Sequence, residues 1–586
     1  MVFLQGHDLE QAYADVLSGR KTLIGWGCIA LFPYYYLNSP LIPERMVDAD
    51  PQKWGRRLCG LPIIRPQDLS SLDPEKIVVM VYPDYDPKVL SQILRQLEEL
   101  GGFSAVPPFR AQINLGQLER QLAPYRHSGT TLLHGRVRLA IERADLLVDL
   151  TPKDLVRSIR EARATIPAAP TTVRKRARLF IGRLQPGGAE RQLTYLAQGL
   201  AARGWDAGIR TFAPPLAGAE GYLAGLGQSG FEHRVLPSVR DVFSPEQTPD
   251  GLPLDIEAIA PVLRRLPMDL VHYVAMAYRE LIRDRPELVV SYLDIFNIGV
   301  GIAALLAGIP HVLVSGRNLN PMHFPNHYAF AEGWIKPCYE AILCFPEVHL
   351  TANSVAGAAS YQEWLGLPRE QVTAIPNGLL EGALPPLAEG ERERIRREIG
   401  VPLNAPMIVG VFRLADEKRP FLFLDAAQLV AAAAPDVHVV LVGDGPLRDD
   451  IVTAGRRLAD EGRLHMTGAR SDATDIIAAG DLVLHTAWAE GHPNVLMEAQ
   501  LLGRPIICTA SHGTAECLCP STAIRIAESD APECLAAATL TLLQDREAAT
   551  AAARPARAWL FDHFSIAKLV ENTLTAAGLP ADRIAD

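Results

Sequence analysis

The chain has 586 residues, of which 48% are hydrophobic and 21% charged, and its net charge is −10. This composition is typical of an ordered globular protein of about three domains and gives no indication of nucleic-acid binding. The eight cysteines lack a metal-ligand spacing, so we expect reduced thiols in a cytoplasmic protein. We find no signal peptide and no run of 18 apolar residues, so no membrane-spanning segment is expected.

Residues 1–115 are predicted to form a Rossmann-like α/β module. A strand runs into the turn Gly25-Trp26-Gly27, and an acid follows about twenty residues later, as in a dinucleotide-binding fold. Only two of the three glycines of that pattern are present, so NAD binding is not expected. Asp48-Ala49-Asp50 and Asp84-Tyr85-Asp86 look like metal-binding Asp-x-Asp motifs, but turn chemistry explains them better.

Residues 116–176 are predicted to be a helical connector that ends in a linker containing Pro and Thr, 166–172. The two clearest helical segments are 137–150 and 152–164. The basic run 174–178 is more typical of a solvated linker end, with contact to an anionic membrane surface as the alternative.

Residues 177–385 are predicted to be a second α/β domain. Its first strand runs into Gln185-Pro186-Gly187-Gly188-Ala189-Glu190-Arg191-Gln192 and then into an amphipathic helix. Gly187 and Gly188 would let the backbone approach a ligand closely at the start of that helix.

Two later strands of this domain end in polar residues. Asp294 and Asn297 follow one strand, and Arg317 and Asn318 follow another. Because the carboxyl ends of parallel strands open on the same crevice, these four residues are candidates for binding an acceptor. Asp294 could orient an acceptor hydroxyl or could equally be a strand-end cap.

Residues 386–586 are predicted to be a third α/β domain. Arg413 and Lys418 follow its first apolar strand, and Gly443 begins a glycine-rich turn after the next strand. Two cations at one strand end suit the binding of an anion.

The most informative segment of the chain runs from Glu490 to Glu498. Pro493 is predicted at the first helical position, where its missing N–H costs nothing. The amides near Asn494 and Val495 would then form an anion site at a helix N-terminus, and Glu498 could accept hydrogen bonds from a diol. The preceding loop contains Gly491 and His492.

Taken in order, these motifs resemble those of a family 4 retaining glycosyltransferase with the GT-B fold, in which two Rossmann-like domains face each other. The resemblance covers roughly residues 176–575. It implies that Arg413 and Lys418 hold the donor diphosphate, and that Glu490 and Glu498 bind the sugar and the ribose. It also implies that the final helix, after residues 562–565, returns to the first GT-B domain.

Two departures from the family pattern affect the expected donor contacts. His492 occupies a place often held by an apolar residue, and Ser511-His512-Gly513-Thr514 replaces a more usual double glycine. The Ser-x-Arg-Asn segment around Arg317 resembles the members that often use UDP-N-acetylhexosamines or galactose. The N-terminal module resembles small Rossmann-like domains appended to bacterial polysaccharide-biosynthesis enzymes.

The resemblance implies retaining transfer of a hexose or N-acetylhexosamine from a nucleotide sugar, expected to be a UDP-sugar, to a glycan or lipid-linked glycan in surface polysaccharide biosynthesis. No cofactor and no divalent metal are expected, because cations and helix amides would balance the leaving-group charge. The alternatives are a nucleotide-sugar epimerase, which lacks such an Arg and Lys pair, and a non-catalytic sugar-nucleotide sensor. Docking of the N-terminal module to other polysaccharide enzymes, and peripheral contact with the inner membrane face, are further expectations.

Overall fold

The computed structural model describes residues 4–581 apart from three longer gaps, 109–149, 216–230 and 238–255, and shorter ones. The shorter gaps are 5, 18, 29–31, 33–40, 42, 59–60, 83–86, 167–171, 186, 329–330, 381, 383, 385–386, 521–523 and 527–530. The described residues contain three sheets, parallel apart from one strand pair in the first, and helices connect most successive strands. This confirms the expected class, two Rossmann-like domains preceded by a smaller one. Among these residues, no helix is both long and apolar enough to cross a membrane.

The N-terminal module has six strands in the order β3-β4-β2-β1-β5-β6, parallel except for the β3–β4 pair. The strands are β1 (Thr22–Trp26), β2 (Arg45–Val47), β3 (Arg57–Leu58), β4 (Leu61–Ile64), β5 (Ile77–Val81) and β6 (Ser104–Val106), with helices α1 (Gly6–Leu17) and α2 (Pro87–Glu99). The buried Asp48 accepts hydrogen bonds from Lys53 Nζ and from the amides of Cys28 and Asp50. Its carboxylate therefore binds groups of the module itself, in its own turn and after β1, whereas Asp84 and Asp86 lie outside the described residues.

The middle domain has seven parallel strands in the order β13-β12-β11-β10-β7-β8-β9. They are β7 (Val173–Ile181), β8 (Asp206–Thr211), β9 (Glu232–Val235), β10 (Pro286–Tyr292), β11 (His311–Gly316), β12 (Val348–Ala352) and β13 (Val372–Ala374). The helices are α3 (Pro152–Thr165), α4 (Gly188–Ala202), α5 (Ala260–Leu263), α6 (Met268–Asp284), α7 (Asp294–Leu306), α8 (Pro325–Tyr328), α9 (Ile335–Ile342) and α10 (Val355–Leu365).

Helix α3 lies in the segment predicted to be a connector, yet it packs into the core of the middle domain. Leu155 and Ile159 are fully buried in the same apolar cluster as residues of α7 and α9. Arg163 also pairs with Glu347 at 2.9 Å. The amphipathic pattern of α3 therefore reflects a face that this domain covers, and the middle domain begins before residue 177. The predicted helix 137–150 falls almost wholly outside the described residues.

The third domain has six parallel strands in the order β16-β15-β14-β17-β18-β19. They are β14 (Met407–Val411), β15 (His438–Val442), β16 (Leu464–Gly468), β17 (Leu482–His485), β18 (Ile506–Thr509) and β19 (Ile524–Ile526). The helices are α11 (Glu391–Ile399), α12 (Pro420–Ala433), α13 (Arg448–Ala454), α14 (Arg456–Asp460), α15 (Ala473–Ala479), α16 (Asn494–Leu501), α17 (Pro532–Gln544), α18 (Arg546–Ala553), α19 (Ala556–Phe564) and α20 (Ile566–Ala576).

The last helix, α20, follows the third domain in the chain but packs on the middle domain. Leu569 and Leu574 share an apolar core with Leu193 and Leu196 of α4. Where the chain enters this helix, Ser565 forms a parallel bridge with Leu379. The two larger domains are therefore joined twice, once by the crossover near Leu379 and once by the returning helix.

Candidate functional site

The candidate site lies where the strand order reverses in the third sheet. β14 pairs with β15 on one side and with β17 on the other, so the loops after β14 and β17 leave the same edge side by side. Ligands of open α/β sheets bind at such switch points, because two adjacent loops diverge there and leave a crevice. A hydrogen bond connects the two loops, because the Trp488 amide donates to the Glu417 carbonyl at 3.0 Å.

A buried carboxylate and two basic groups form the centre of the site. Lys418 ends a one-turn 3-10 helix after β14, and its Nζ donates to Glu490 Oε1 at 2.5 Å. His485, the last residue of β17, places Nε2 3.0 Å from the same oxygen. The structure thus brings together two predicted residues, Lys418 and Glu490, and adds His485, which was not predicted as a site residue.

Glu490 is ionised in this setting. Burial by itself favours the neutral acid, but the Lys418 charge and the His485 hydrogen bond outweigh it and hold the pKa of Glu490 at about 2. The carboxylate therefore accepts hydrogen bonds and does not donate a proton near neutral pH.

Arg413 and Gly443 border the same crevice from the loops after β14 and β15. Arg413 is exposed, and no ion-pair partner for it is found within the described part of the chain. Gly443 has φ 142°, and a Cβ there would lie 1.9 Å from the carbonyl oxygen of Phe412. Only glycine lets these two loops approach so closely, so Gly443 fixes the position of the loop that carries Arg413.

Helix α16 begins at Asn494, one residue later than predicted, and Pro493 is its cap. The amides of Asn494 and Val495 belong to the first turn and lack intrahelical partners, as expected of a helix N-terminus. The loop before it is tightly packed, because a Cβ on Gly491 would lie 2.1 Å from Asn353 Oδ1.

Polar side chains of the middle domain bind the start of α16. Gln192 Nε2 and Asn377 Nδ2 donate to Asn494 Oδ1 at 3.1 and 3.0 Å. Asn494 Nδ2 in turn donates to the carbonyl of Gly188 at 3.3 Å, which brings the Gly187–Gly188 loop against the helix. The Gly187–Gly188 loop and the predicted anion site therefore face each other across the cleft between the two domains.

Glu498 also forms an ion pair with a residue of the middle domain. Its Oε1 lies 2.6 Å from a guanidinium nitrogen of Arg191, on the first turn of α4. A small cleft lies beside this ion pair, and its walls include Tyr195, Leu379 and Asn494. Arg191 and Gln192 were not predicted as site residues, although both belong to the Gly-Gly-Ala-Glu-Arg-Gln segment that begins at Gly187.

Arg317 and His492 lie together behind the cleft. The Arg317 guanidinium stacks on the Tyr292 ring, 4.1 Å from its centroid, and donates to Asn377 Oδ1. Burial, together with the Arg317 charge, lowers the pKa of His492 to about 3, so the imidazole is neutral. His492 also packs edge-on against Phe564, with ring centroids 4.8 Å apart.

Asp294 and Asn297 are built into the middle domain. The Asp294 carboxylate accepts hydrogen bonds from the hydroxyls of Tyr339 at 2.7 Å, Tyr328 at 3.0 Å and Tyr361. Asn297 is fully buried and donates to the Ser315 carbonyl and to Tyr339. Burial raises the pKa of Asp294, against the effect of the three hydroxyls.

These contacts favour a supporting role for Asp294 over direct contact with an acceptor, and its catalytic role stays a prediction. Asn318 is half-buried, and its Oδ1 accepts the amide of Leu319 at 2.9 Å. It also remains a prediction as an acceptor residue.

An aromatic cluster between the middle and third domains was not expected. Trp488, two residues before Glu490, packs against Phe324 of the middle domain with ring centroids 6.4 Å apart. His323 lies 5.6 Å from His512 and 6.2 Å from Trp488, measured between ring centroids. The cluster joins the two domains beside the buried carboxylate.

Two Rossmann-like domains that face each other across such a cleft, joined by a returning C-terminal helix, define the GT-B class. The family model described as Glycosyltransferase Family 4 matches residues 186–379, and the model described as Glycosyl transferases group 1 matches residues 405–545. The chain belongs to the family 4 glycosyltransferases with the GT-B fold.

Curated relatives and solved structures agree with this placement. The chain is 28% identical over 355 residues to the Vi polysaccharide biosynthesis protein VipC/TviE of Salmonella typhi, covering 58% of this chain and 60% of that protein. It is 28% identical over 247 residues to an Escherichia coli UDP-Gal:alpha-D-GlcNAc-diphosphoundecaprenol alpha-1,3-galactosyltransferase, covering 40% of this chain and 61% of that protein. Both alignments therefore span about three fifths of the relatives' length.

Solved structures share the fold at lower identity. Anabaena HepE in complex with UDP and glucose superposes with a TM-score of 0.52 and 23% identity, covering 69% of this chain and 99% of that one. WaaG, a glycosyltransferase involved in lipopolysaccharide biosynthesis, gives a TM-score of 0.51 and 17% identity, covering 69% of this chain and 100% of that one.

Proposed function

We propose that this protein is a retaining glycosyltransferase of surface polysaccharide biosynthesis. In this proposal it moves a hexose or N-acetylhexosamine from a UDP-sugar to a glycan or lipid-linked glycan. The names of the Salmonella and Escherichia coli relatives support the polysaccharide context, the UDP-sugar and the lipid-linked acceptor. The observation that carries the proposal is the Lys418–Glu490–His485 group at a switch point that faces the middle domain.

Glu490 would serve as a permanent negative charge beside the donor sugar. With a pKa of about 2 it stays ionised at neutral pH. It can therefore accept hydrogen bonds from sugar hydroxyls and stabilise positive charge that develops on the sugar ring. Lys418 fixes its orientation through a hydrogen bond, and the same ammonium would stabilise the charge of the leaving diphosphate.

The leaving diphosphate would be stabilised by groups already in place before reaction. Lys418, the exposed Arg413 and the free amides of Asn494 and Val495 supply positive charge without reorganisation, which is the arrangement that lowers a barrier most effectively. Because these groups could balance the charge, we propose that transfer needs no divalent metal. Glu498 would bind the ribose diol.

The remaining parts of the chain have proposed supporting roles. The contacts between Gln192, Asn377 and Asn494 hold the domains closed, which would exclude water and limit donor hydrolysis. We propose a cytoplasmic enzyme that contacts the inner face of the membrane where its acceptor lies. The N-terminal module would dock other polysaccharide enzymes rather than bind NAD, because its Asp48 is already bonded to Cys28 and Lys53 of the same module.

Incubation of the protein with UDP-, GDP-, ADP- and dTDP-sugars tests the proposal without a known acceptor. We expect slow release of the nucleoside diphosphate from at least one donor, and the first sugar anomer seen by NMR should keep the configuration of the donor. An epimerase would change the sugar without releasing nucleotide at the same rate, and a sensor would bind without turnover. An inverted first anomer would contradict retention.

A further inference from the structure

The ion pair between Arg191 and Glu498 has a consequence for nucleotide recognition. The side chain of Glu498 is 9% exposed and that of Arg191 33%, so the pair is largely shielded from solvent. Arg191 belongs to the middle domain and Glu498 to the third, and the two residues meet through Oε1 at 2.6 Å. A partly buried charge pair of this length restrains both side chains more than a surface pair does.

The second oxygen of Glu498 remains available. No hydrogen bond to Oε2 is found among the described residues, and Glu498 borders the cleft that also contains Tyr195 and Asn494. A carboxylate held through one oxygen presents the other in a fixed direction. That oxygen can then accept a hydrogen bond from a ligand hydroxyl with little further loss of side-chain conformational entropy.

We propose that Arg191 is a positioning residue for the ribose of the nucleotide. It fixes Glu498 through Oε1 and leaves Oε2 to accept from the ribose 2′-hydroxyl, so the middle domain completes a binding site of the third. The inference rests on the proposed function, since it assumes that a nucleoside diphosphate occupies this cleft. It adds a residue of the opposite domain, and it ties recognition of the ribose to the closed arrangement of the two domains.

A neighbouring contact separates this role from simple domain closure. Gln192 also crosses the cleft, and it bonds to Gly378 and to Asn494, with no hydrogen bond to Glu498 among the described residues. Loss of Gln192 should loosen the closed arrangement and weaken all nucleotides alike. Loss of Arg191 should instead reduce the discrimination between ribose and 2′-deoxyribose, a ratio that a purely structural role would leave unchanged.

The experiment is calorimetric titration of the full-length protein with UDP and 2′-deoxy-UDP, and with GDP and 2′-deoxy-GDP. One hydrogen bond to a charged group is worth roughly 1.5–3 kcal/mol, so the wild type should prefer the ribonucleotide by roughly 10- to 150-fold. Arg191→Met should reduce that ratio at least threefold, Arg191→Lys should retain most of it, and Gln192→Ala should keep it while weakening both ligands. Arg191→Gln is measured in parallel, and melting curves identify any variant that fails to fold.

Three outcomes decide the matter. A wild-type ratio that Arg191→Met and Arg191→Gln both leave intact overturns the inference while the proposed function stands. An increased ratio shows that Arg191 competes with the ribose for Glu498, and it overturns the inference as well. A wild type that binds no nucleoside diphosphate removes the proposed function and the inference with it.

Discussion

Replacement of Lys418 by methionine probes the centre of the site most directly. The change keeps a long unbranched side chain but leaves the Glu490 carboxylate, 6% exposed, without its cationic partner. The pKa of Glu490 is about 2 in the folded protein against an ordinary 4.5, so its stabilisation is complete above pH 4.5 and is lost as the pH falls towards 2.

The pKa difference corresponds to about 3 kcal/mol at pH 7. His485 contributes part of it, so we expect Lys418→Met to destabilise the third domain by about 2–3 kcal/mol. For a domain of this size that is roughly 4–12 °C in melting temperature. Donor turnover should fall at the same time, because Lys418 is also proposed to stabilise the charge of the leaving diphosphate.

A double variant separates the two effects of Lys418. In Lys418→Met with Glu490→Gln no charge is left buried without a partner, so the melting temperature should recover most of the loss, whereas turnover should not recover. Lys336→Met is the matched control, because Lys336 and Glu340 form an exposed pair at 3.9 Å that should matter little. Calorimetric scans at pH 7 measure all three variants. If Lys418→Met melts within about 2 °C of the wild type, the argument for a buried, stabilising pair is refuted.

Four further outcomes are expected. Glu498→Ala should weaken binding of the nucleoside diphosphate by roughly 1.5–3 kcal/mol, and unchanged affinity in a titration would exclude a ribose contact. Arg413→Ala should lower turnover with an unchanged melting curve, because the side chain is exposed; wild-type turnover at saturating donor would count against its role. Turnover should survive chelation by EDTA, and a full loss restored by Mn²⁺ or Mg²⁺ would contradict charge balance by side chains. A chain that starts at Thr172 should be insoluble whereas one that starts at Leu150 folds, because α3 buries Leu155 and Ile159; soluble expression of both would refute this packing.

The sequence by itself determined the architecture and the local anatomy of the loops. Alternating apolar strands and amphipathic helices indicate parallel sheets, and the segment from Leu482 to Glu498 contains a strand, a loop and a helix start within a few residues. Such features depend on backbone geometry over one or two turns, so the sequence predicts them without knowledge of tertiary contacts. Pro493 was misplaced by one position, within the usual uncertainty of helix boundaries.

The tertiary structure alone decided which of these side chains act on one another. Gln192 and Asn494 are 302 residues apart in the chain, and no local pattern predicts their hydrogen bond or the adjacent Arg191–Glu498 ion pair. Lys418 became a partner of Glu490 because the neighbouring parallel strands β14 and β17 bring their loops to one crevice. Asp294 fell among three tyrosines, and α3 joined a core that its position in the chain did not reveal. In each case the partners come from distant segments, and their proximity is set by the packing of whole sheets and domains.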